Sequence, residues 1–247
     1  MTSIFDSGAF NESLFFPRGD ATQPPAGAVD AMIDVGGARV HLRRHAAPDA
    51  RCTLLLFHGN GEVVADYDDA AAVFAKVGVA LAAAEFRGYG QSEGEPTLRA
   101  IVDDARKVAE TIDGRFIVMG RSLGGMAVHG LYAKPVAGMV GVVLESALSD
   151  LRGLIRRRGM APPATFSDDE LDRYDPATKL ARGTLPLLIL HGDSDTLIDP
   201  SEAHESLAAA GTTDKQLVMI PGRGHNDVSH HARYWEALAA FVTRVAS

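Results

Sequence analysis

A serine between glycines is the first feature of the sequence that could do chemistry. Residues 120–124 read Gly-Arg-Ser-Leu-Gly, directly after the apolar run 116–119 and directly before a stretch that is typical of a helix. This spacing between a strand and a helix is typical of a sharp turn that exposes a nucleophilic hydroxyl at the end of the strand. The glycines are expected because such a turn brings backbones too close together for side chains. The pattern predicts Ser122 as a nucleophile, with a plain Gly-rich turn as the alternative.

A histidine is needed next, because a serine hydroxyl is a weak nucleophile until a base takes its proton. His225 is the candidate, since it lies in a Gly-Arg-Gly-His-Asn loop directly after the predicted strand 216–220. His230 and His231 follow, and we expect both at the surface near the start of a helix. A metal site formed by the three histidines is a weaker alternative, because no cysteine or carboxylate completes a usual ligand spacing.

An acid must hold such a histidine in one tautomer and stabilise its charged form. Asp195 ends the sequence His-Gly-Asp-Ser-Asp, which follows the predicted strand 187–191. Asp193 in the same loop, Glu145 at the end of an earlier strand and the more distant Asp199 stay open as alternatives. The sequence therefore predicts Ser122, Asp195 and His225 as catalytic residues, in that chain order.

The elements that must position these residues alternate along the chain. A hairpin of strands 29–35 and 38–44 is followed by short apolar runs that alternate with helical stretches. This order predicts an α/β fold, with a mostly parallel central sheet of about eight strands and helices on both faces. Ligands of such sheets bind beyond the carboxyl ends of the strands, where every candidate residue falls. Residues 147–183 break the alternation, and we expect a small lid there within a single domain of residues 1–247.

Composition and charge limit the partners. The 247 residues carry a formal charge of −8, which argues against nucleic acid or an anionic membrane as the main partner. The single cysteine, Cys52, cannot form an internal disulfide, which favours a reducing compartment. Residues 1–17 do not resemble a signal peptide, and no apolar run approaches the roughly 20 residues that span a bilayer. These features predict a cytoplasmic protein that acts on a small molecule, and they leave its oligomeric state open.

Two sets of basic residues are predicted to have no direct role in catalysis, with a contact to the substrate as the alternative for each. The run Arg156–Arg158 is predicted to be a solvated helix face, with a contact to an acidic substrate as the alternative. Arg121 is expected at the surface, although near the site it could also attract an acidic group of the substrate. His58 and His191 are predicted to support the scaffold through hydrogen bonds to the backbone.

Taken together, these segments resemble the α/β-hydrolases, and within them the BEM46-like group. The resemblance is carried by His-Gly-Asn-Gly-Glu at 58–62, by Glu-Phe-Arg-Gly-Tyr-Gly-Gln-Ser-Glu-Gly at 85–94, and by the serine, aspartate and histidine motifs in order. It implies the α/β-hydrolase fold and an oxyanion hole formed by the backbone N–H groups of Asn60 and Leu123. It also implies hydrolysis of a carboxylic ester or thioester without a cofactor or metal, and it names no substrate.

Other functions on the same scaffold stay open at this point. A non-catalytic ligand-binding protein and an acyltransferase with the same three residues are the main alternatives, because fold does not fix function. Perhydrolysis is a minor one. A serine at position 122 argues against epoxide hydrolases and haloalkane dehalogenases, whose nucleophile is an aspartate.

Overall fold

The apolar runs of the sequence form one sheet of eight strands in this computed structural model, which describes residues 3–246. The strands are β1 (Ala28–Asp34), β2 (Arg39–His45), β3 (Cys52–Phe57), β4 (Val79–Ala84), β5 (Phe116–Arg121), β6 (Met139–Glu145), β7 (Leu187–Gly192) and β8 (Lys215–Ile220). Their spatial order is β1-β2-β4-β3-β5-β6-β7-β8. The pairs from β4 to β8 are parallel, whereas β1 and β2 join as an antiparallel edge. The predicted α/β-hydrolase fold is confirmed.

The antiparallel edge is the predicted hairpin. Gly36 and Gly37 lie in its turn with φ angles of +83° and +78°, which side chains with a Cβ rarely adopt. The pairing register runs from Ala28 opposite His45 to Asp34 opposite Arg39. The hairpin extends the sheet away from the strands whose ends carry the candidate residues.

Alternate residues of the parallel strands supply two apolar layers, one on each face of the sheet. In β3, Leu55 and Phe57 join one buried cluster, while Leu54 and Leu56 join the other. Successive side chains of a strand point to opposite faces, so a fully apolar strand requires cover on both sides. The helices provide that cover, which fixes the positions of the strand ends.

The helices are α1 (Gly8–Leu14), α2 (Ala71–Lys76), α3 (Leu98–Ala109), α4 (Gly125–Ala133), α5 (Leu151–Arg157), α6 (Asp168–Tyr174), α7 (Pro176–Arg182), α8 (Pro200–Ala209) and α9 (Ala232–Val245). The predicted helix 66–77 is shorter than expected, because a 3-10 turn at Val64–Tyr67 precedes α2. The helix predicted from Leu123 likewise starts with a 3-10 turn, Ser122–Gly124, before α4 begins. Within residues 3–246, each helix is too short or too polar to cross a membrane.

The segment 147–183, for which the sequence predicts a lid, contains α5, α6 and α7. It packs against the N-terminal segment, where the ring of Phe5 contacts the rings of Phe10, Phe166 and Tyr174. Ser3 also donates a hydrogen bond of 2.6 Å to Glu170 of α6. Both segments lie beside the strand ends. The lid and the single domain 1–247 stay predictions, and residues 1, 2 and 247 lie outside the described part.

Candidate active site

Ser122 lies in a strained turn at the end of β5. Its φ angle is +52°, which a non-glycine residue rarely adopts and which active-site turns often hold. A Cβ at Gly120 would lie 2.7 Å from the carbonyl oxygen of Gly124, and one at Gly124 would lie 2.1 Å from the carbonyl oxygen of Phe57. Both distances are too short for carbon and oxygen, so this turn requires glycine at the two positions that the sequence motif gives it.

Three side chains from separate loops form a continuous chain of hydrogen bonds. Ser122 Oγ lies 2.9 Å from Nε2 of His225, and Nδ1 of the same ring lies 2.8 Å from Oδ2 of Asp195. All three residues are at most 9% exposed. The serine follows β5, the aspartate follows β7 and the histidine follows β8, so the carboxyl ends of these strands bring them together.

Asp195 is held as a carboxylate. Its Oδ1 accepts hydrogen bonds from the backbone N–H groups of Leu197 and Ile198, at 2.8 and 2.9 Å. Burial raises the pKa of this carboxyl, but the hydrogen bonds from His225 and from the two amides outweigh burial and lower the pKa below its ordinary value. A charged, oriented carboxylate beside Nδ1 favours the imidazole tautomer whose Nε2 is free to accept a proton.

The alternative acids make other contacts. Asp193 accepts hydrogen bonds from the Gly222 backbone and from Ser194, while Asp199 caps α8 by accepting one from the backbone N–H of Ser201. Glu145 contacts Arg121 and Tyr234. Asp195 is therefore the carboxylate that contacts His225 in the part of the chain that the structure describes.

The alternative metal ligands are not assembled into a site. His230 is exposed, and His231 caps α9 through a hydrogen bond from the backbone N–H of Arg233 to its Nδ1. Among the described residues, no group of three histidine, cysteine, aspartate or glutamate side chains could hold a metal ion.

Asn60 and Leu123 line the same pocket as Ser122 and His225. The Asn60 side chain is tied to the N-terminal segment, because its Nδ2 donates to the carbonyl of Leu14 at 2.7 Å and its Oδ1 accepts from the backbone N–H of Phe16 at 3.0 Å. The hydroxyl of Tyr89 also donates to this Oδ1, at 2.6 Å. These bonds fix the loop whose backbone N–H the sequence assigns to the oxyanion hole, and that assignment stays a prediction.

Arg121 is not at the surface, which corrects the sequence-based expectation. Its side chain is 12% exposed and forms ion pairs with Glu62 and with Glu145, the second at 3.0 Å. Its Nη2 also donates to Oδ1 of Asn226 at 2.9 Å, so it links the loop after β5 to the histidine loop. Burial lowers the pKa of this guanidinium, but Glu145 and Glu62 outweigh burial and raise it.

Two tyrosines complete this network, which sequence reasoning missed. Tyr67 donates a hydrogen bond of 2.6 Å to Glu62, and Tyr234 donates one of 2.5 Å to Glu145. Burial, followed by the neighbouring carboxylates, raises the pKa of both phenols. Glu62, Arg121 and Glu145 each stand at or just beyond the end of a strand in the series β3, β5, β6, and opposite charges at adjacent strand ends are a sequence signal for such pairing.

The other sequence-based expectations have mixed outcomes. His58 bonds to Glu85 as well as to the carbonyl of Gly59, and His191 bonds to the carbonyl of Ile198, so both support the scaffold. Cys52 is buried, and burial raises the pKa of its thiol to about 11. In the basic run, Arg156 is exposed as predicted, whereas Arg158 is half-buried.

A pocket of about 460 Å³ opens beside Ser122 and His225. Its apolar wall includes Leu148 and Leu154 from the predicted lid, Leu197 and Ile198 from the loop after β7, and Leu14 and Phe16 from the N-terminal segment. Glu62, Arg121, Arg157 and Arg158 supply its charges. The pocket combines an apolar surface with a hydroxyl, an imidazole and a few charged groups, as small-molecule sites do.

The sequence of the chain matches a known protein family and several known proteins. The family model described as "Serine aminopeptidase, S33" matches residues 48–167 and 170–228. The chain is 29% identical over 212 residues to the α/β hydrolase domain-containing protein aho-3 of Caenorhabditis elegans, which covers 81% of this chain and 60% of that protein. It is 25% identical over 207 residues to protein bem46 of Schizosaccharomyces pombe, which covers 79% of this chain and 69% of that protein.

The chain is also similar to human α/β hydrolase domain-containing protein 17C, with 29% identity over 209 residues that cover 80% of this chain and 60% of that protein. It thus spans about 60% of the length of this relative and of the nematode one. Among solved structures, an esterase of Pyrococcus furiosus superposes with a TM-score of 0.74 at 16% identity, covering 94% of this chain and 99% of that one. Est1E of Butyrivibrio proteoclasticus superposes with a TM-score of 0.70 at 20% identity, covering 87% and 98%. At sequence identities this low, the structural similarity shows a shared fold.

Proposed function

The chain belongs to the α/β-hydrolase family described as serine aminopeptidase S33, and from that premise we propose that it is a serine esterase or thioesterase. Family membership and the esterase and lipase neighbours support a hydrolase. The observation that carries the finer proposal is the unbroken hydrogen-bond chain from Ser122 through His225 to Asp195. This arrangement activates a serine hydroxyl for attack on a carbonyl carbon.

The proposed mechanism uses residues of the chain alone. Ser122 Oγ attacks the carbonyl carbon while Nε2 of His225 takes the hydroxyl proton, and Asp195 stabilises the imidazolium that forms. The backbone N–H groups of Asn60 and Leu123 bind the oxyanion, and each such donor contributes about 10²–10³ in rate. His225 then protonates the departing alcohol or thiol. Water, deprotonated by His225, hydrolyses the acyl-enzyme and restores Ser122.

The pocket supports a small or acyl-chain substrate. Its volume of about 460 Å³ and its leucine-rich wall fit an apolar group next to the reacting carbonyl. The structural neighbours include an esterase, a monoacylglycerol lipase and Est1E with bound ferulic acid, which supports this substrate class. We propose a small-molecule ester or thioester as the substrate.

The test combines covalent labelling with turnover. A fluorophosphonate probe should label the wild-type protein at Ser122, and a panel of p-nitrophenyl esters and acyl thioesters of graded length should identify substrates. Ser122→Ala should abolish labelling and lower ester turnover by about 10⁶-fold, because the nucleophile is lost. Peptide mapping of the labelled protein and the kcat of the pure variant measure both effects.

Ser146 offers a matched control. It follows β6, the strand next to β5, it is fully buried, and its φ angle of +42° is as unusual as that of Ser122. Its hydroxyl has no hydrogen-bond partner among residues 3–246. Ser146→Ala should therefore keep both labelling and turnover. Full turnover by Ser122→Ala, or a probe that labels another residue, would contradict Ser122 as the nucleophile. A wild-type protein that neither labels nor cleaves any ester would favour a ligand-binding protein.

A further inference from the structure

The charged side chains that line the pocket are paired, with one exception. Glu62 and Arg121 bind each other. Arg157 binds the buried carboxylate of Glu202 at 2.9 Å, and the same carboxylate accepts hydrogen bonds from the backbone of Ser149 and Asp150. For Arg158, no carboxylate within residues 3–246 lies in ion-pair contact. One cation in the pocket therefore has no counterion of its own.

The Arg158 guanidinium is ordered without being paired. Its guanidinium carbon lies over the ring of Phe16, 5.4 Å from the ring centre. Its Nη1 donates a long hydrogen bond of 3.4 Å to the carbonyl of Ser13. Its Nε is fully buried without a hydrogen-bond partner among the described residues, and Nη2 donates no hydrogen bond to them. A guanidinium that lies over an aromatic ring donates from its terminal N–H groups, so Nη1 and Nη2 are the donors for an acceptor in the pocket.

Leaving such a cation half-buried and unpaired is unfavourable. Burial, and then repulsion from Arg157, lowers the pKa of Arg158, yet a guanidinium keeps its proton at neutral pH. Elsewhere the chain resolves this problem internally, since the fully buried Arg43 binds Asp30 and Asp68. At Arg158 no carboxylate of residues 3–246 fills this role. The nearby carboxylate of Glu62 does not serve, because Arg121 and Tyr67 already bind it.

We propose that Arg158 binds a carboxylate of the substrate, so that the preferred esters carry a carboxylate remote from the reacting carbonyl. This inference rests on the function proposed above, because Arg158 and Ser122 line one pocket. The wall formed by Leu148 and Leu154 supplies an apolar surface in the same pocket, which fits a methylene spacer within the substrate. A guanidinium suits this role, since its fork of N–H donors matches the two oxygens of a carboxylate.

The experiment compares charged with neutral esters of equal length. Mono-p-nitrophenyl adipate, pimelate and suberate are assayed against the same diacid esters with the second carboxyl methylated. A second arm uses the octanoyl ester of 4-hydroxybenzoate against that of its methyl ester, and so distinguishes a carboxylate on the acyl part from one on the alcohol. The readout is the selectivity ratio, kcat/KM for the carboxylate ester divided by kcat/KM for its neutral partner. We expect at least one pair to show a ratio well above one in wild-type protein.

Arg158→Met keeps an unbranched side chain about as long as the methylene stem of arginine and removes the charged guanidinium. We expect it to lower the selectivity ratio by about 10–100-fold, as the loss of a hydrogen-bonded charge pair predicts. Arg158→Lys should recover part of the ratio. Arg156→Met is the matched control, because Arg156 lies outside the pocket, is exposed and pairs with Asp150. It removes the same charge two residues away and should leave the ratio at its wild-type value.

The outcomes separate the inference from the function beneath it. A wild-type ratio near one in every pair, with neutral esters cleaved through Ser122, overturns the carboxylate inference and leaves the esterase intact. An equal loss on charged and neutral esters in Arg158→Met also overturns it, because that result indicates a structural role beside Phe16. A protein that neither labels with fluorophosphonate at Ser122 nor cleaves any ester overturns the proposed function and the inference together.

Discussion

Two regions of this molecule bury ionisable side chains and treat them in opposite ways. Around the end of β5, Ser122, His225 and Asp195 form one hydrogen-bonded chain, and Arg121 lies at the centre of a second network. Between α4 and α7, by contrast, His129 is 1% exposed and neither of its ring nitrogens has a hydrogen-bond partner within residues 3–246. Lys179 of α7 is 7% exposed, and the described chain gives it no acidic contact.

The difference shows how burial is tolerated in each place. Burial penalises a charged group, and the penalty is met either by a partner or by loss of the charge. Near Ser122 the partners are present. Between α4 and α7, burial, followed by the charge of Lys179, lowers the pKa of His129 to about 3. Burial also lowers the pKa of Lys179 to about 8. Between α4 and α7, the lowered pKa values therefore mark burial without a hydrogen-bonded partner, whereas connection of groups through hydrogen bonds marks the candidate site.

After loss of the nucleophile itself, the largest effect is expected at Asp195. Asp195→Asn keeps the shape and leaves an amide oxygen for the N–H groups of Leu197 and Ile198. Its amide nitrogen would then donate to Nδ1 of His225, so the ring proton moves to Nε2 and Ser122 loses its base. We expect kcat on the best ester to fall by about 10⁴-fold. Steady-state kinetics on folded, pure variant measures this loss.

Asp193→Asn is the control, because Asp193 lies two residues away and accepts its hydrogen bonds through an oxygen that asparagine retains. It should leave kcat close to the wild-type value. Equal losses in the two variants would mean that the loop, and not the orientation of His225, sets the rate. That result would mean that the hydrogen-bonded Asp195 affects the rate no differently from the exposed carboxylate of Asp193.

A smaller effect, on stability, is expected at Arg121. Arg121→Met leaves Glu145, which is 5% exposed, with the hydroxyl of Tyr234 and without a counterion. Removal of one partner of a buried ion pair typically costs about 3–5 kcal/mol. We expect the free energy of unfolding, measured with urea, to fall by about that amount. The double variant with Glu145→Gln should recover part of the loss, since the stranded charge is gone.

Arg156→Met again supplies the reference, because its pair with Asp150 is exposed and pairs of that kind contribute about 0–1 kcal/mol. A loss in Arg121→Met no greater than in Arg156→Met would show that the network beneath the serine turn does not stabilise the fold. The ion pairs around Arg121 would then contribute no stability that the unpaired groups between α4 and α7 lack.

Much of this arrangement could be predicted from sequence because it depends on strand ends. Ser122, Asp195 and His225 each follow an apolar run closely, and parallel strands bring such positions to one edge of the sheet. The order of the strands in the sheet is what the sequence does not display. Glu62 and Glu145 become neighbours of Arg121 because β3 and β6 flank β5, and this adjacency turns a residue expected at the surface into a buried one.

The run Arg156–Arg158 at the end of α5 is a second case in which the sequence does not show which residues become neighbours. Successive residues of a helix point about 100° apart, so three identical side chains meet three environments. Arg156 is exposed, Arg157 binds the buried Glu202, and Arg158 lies at the pocket over Phe16. Which of the three line the pocket, and which of these is left without a carboxylate, depends on how α5 packs against the rest of the chain. That packing joins parts of the chain about 145 residues apart, such as Ser13 and Arg158, and no local pattern encodes it.

The smallest expected effect is a gain of stability on replacement of Lys179, opposite in sign to the loss expected for Arg121→Met. Lys179→Met should stabilise the protein at pH 7, because it removes a buried amine that forms no ion pair in the described chain and for which burial outweighs the attraction of Asp172. Since the pKa of Lys179 is lowered to about 8, the folded state releases the proton before the unfolded state does. Below pH 8 both states hold the proton and the full penalty of burying the charge is present. From pH 8 to about 10.5 the unfolded state binds more protons, so the wild type gains stability as pH rises.

The free energy of unfolding of Lys179→Met should accordingly exceed that of the wild type by about 1–3 kcal/mol at pH 7, and this difference should decrease towards zero near pH 10. Urea unfolding of variant and wild type at a series of pH values measures the difference directly, and the titration of all other groups cancels in it. Lys107→Met, at an exposed position of α3, should show a small difference that does not change with pH. An advantage of Lys179→Met that is constant from pH 7 to pH 10 would mean that packing, and not the charge, is responsible. Loss of stability on this replacement would show that the amine has a partner after all, and that the two regions treat buried charge alike.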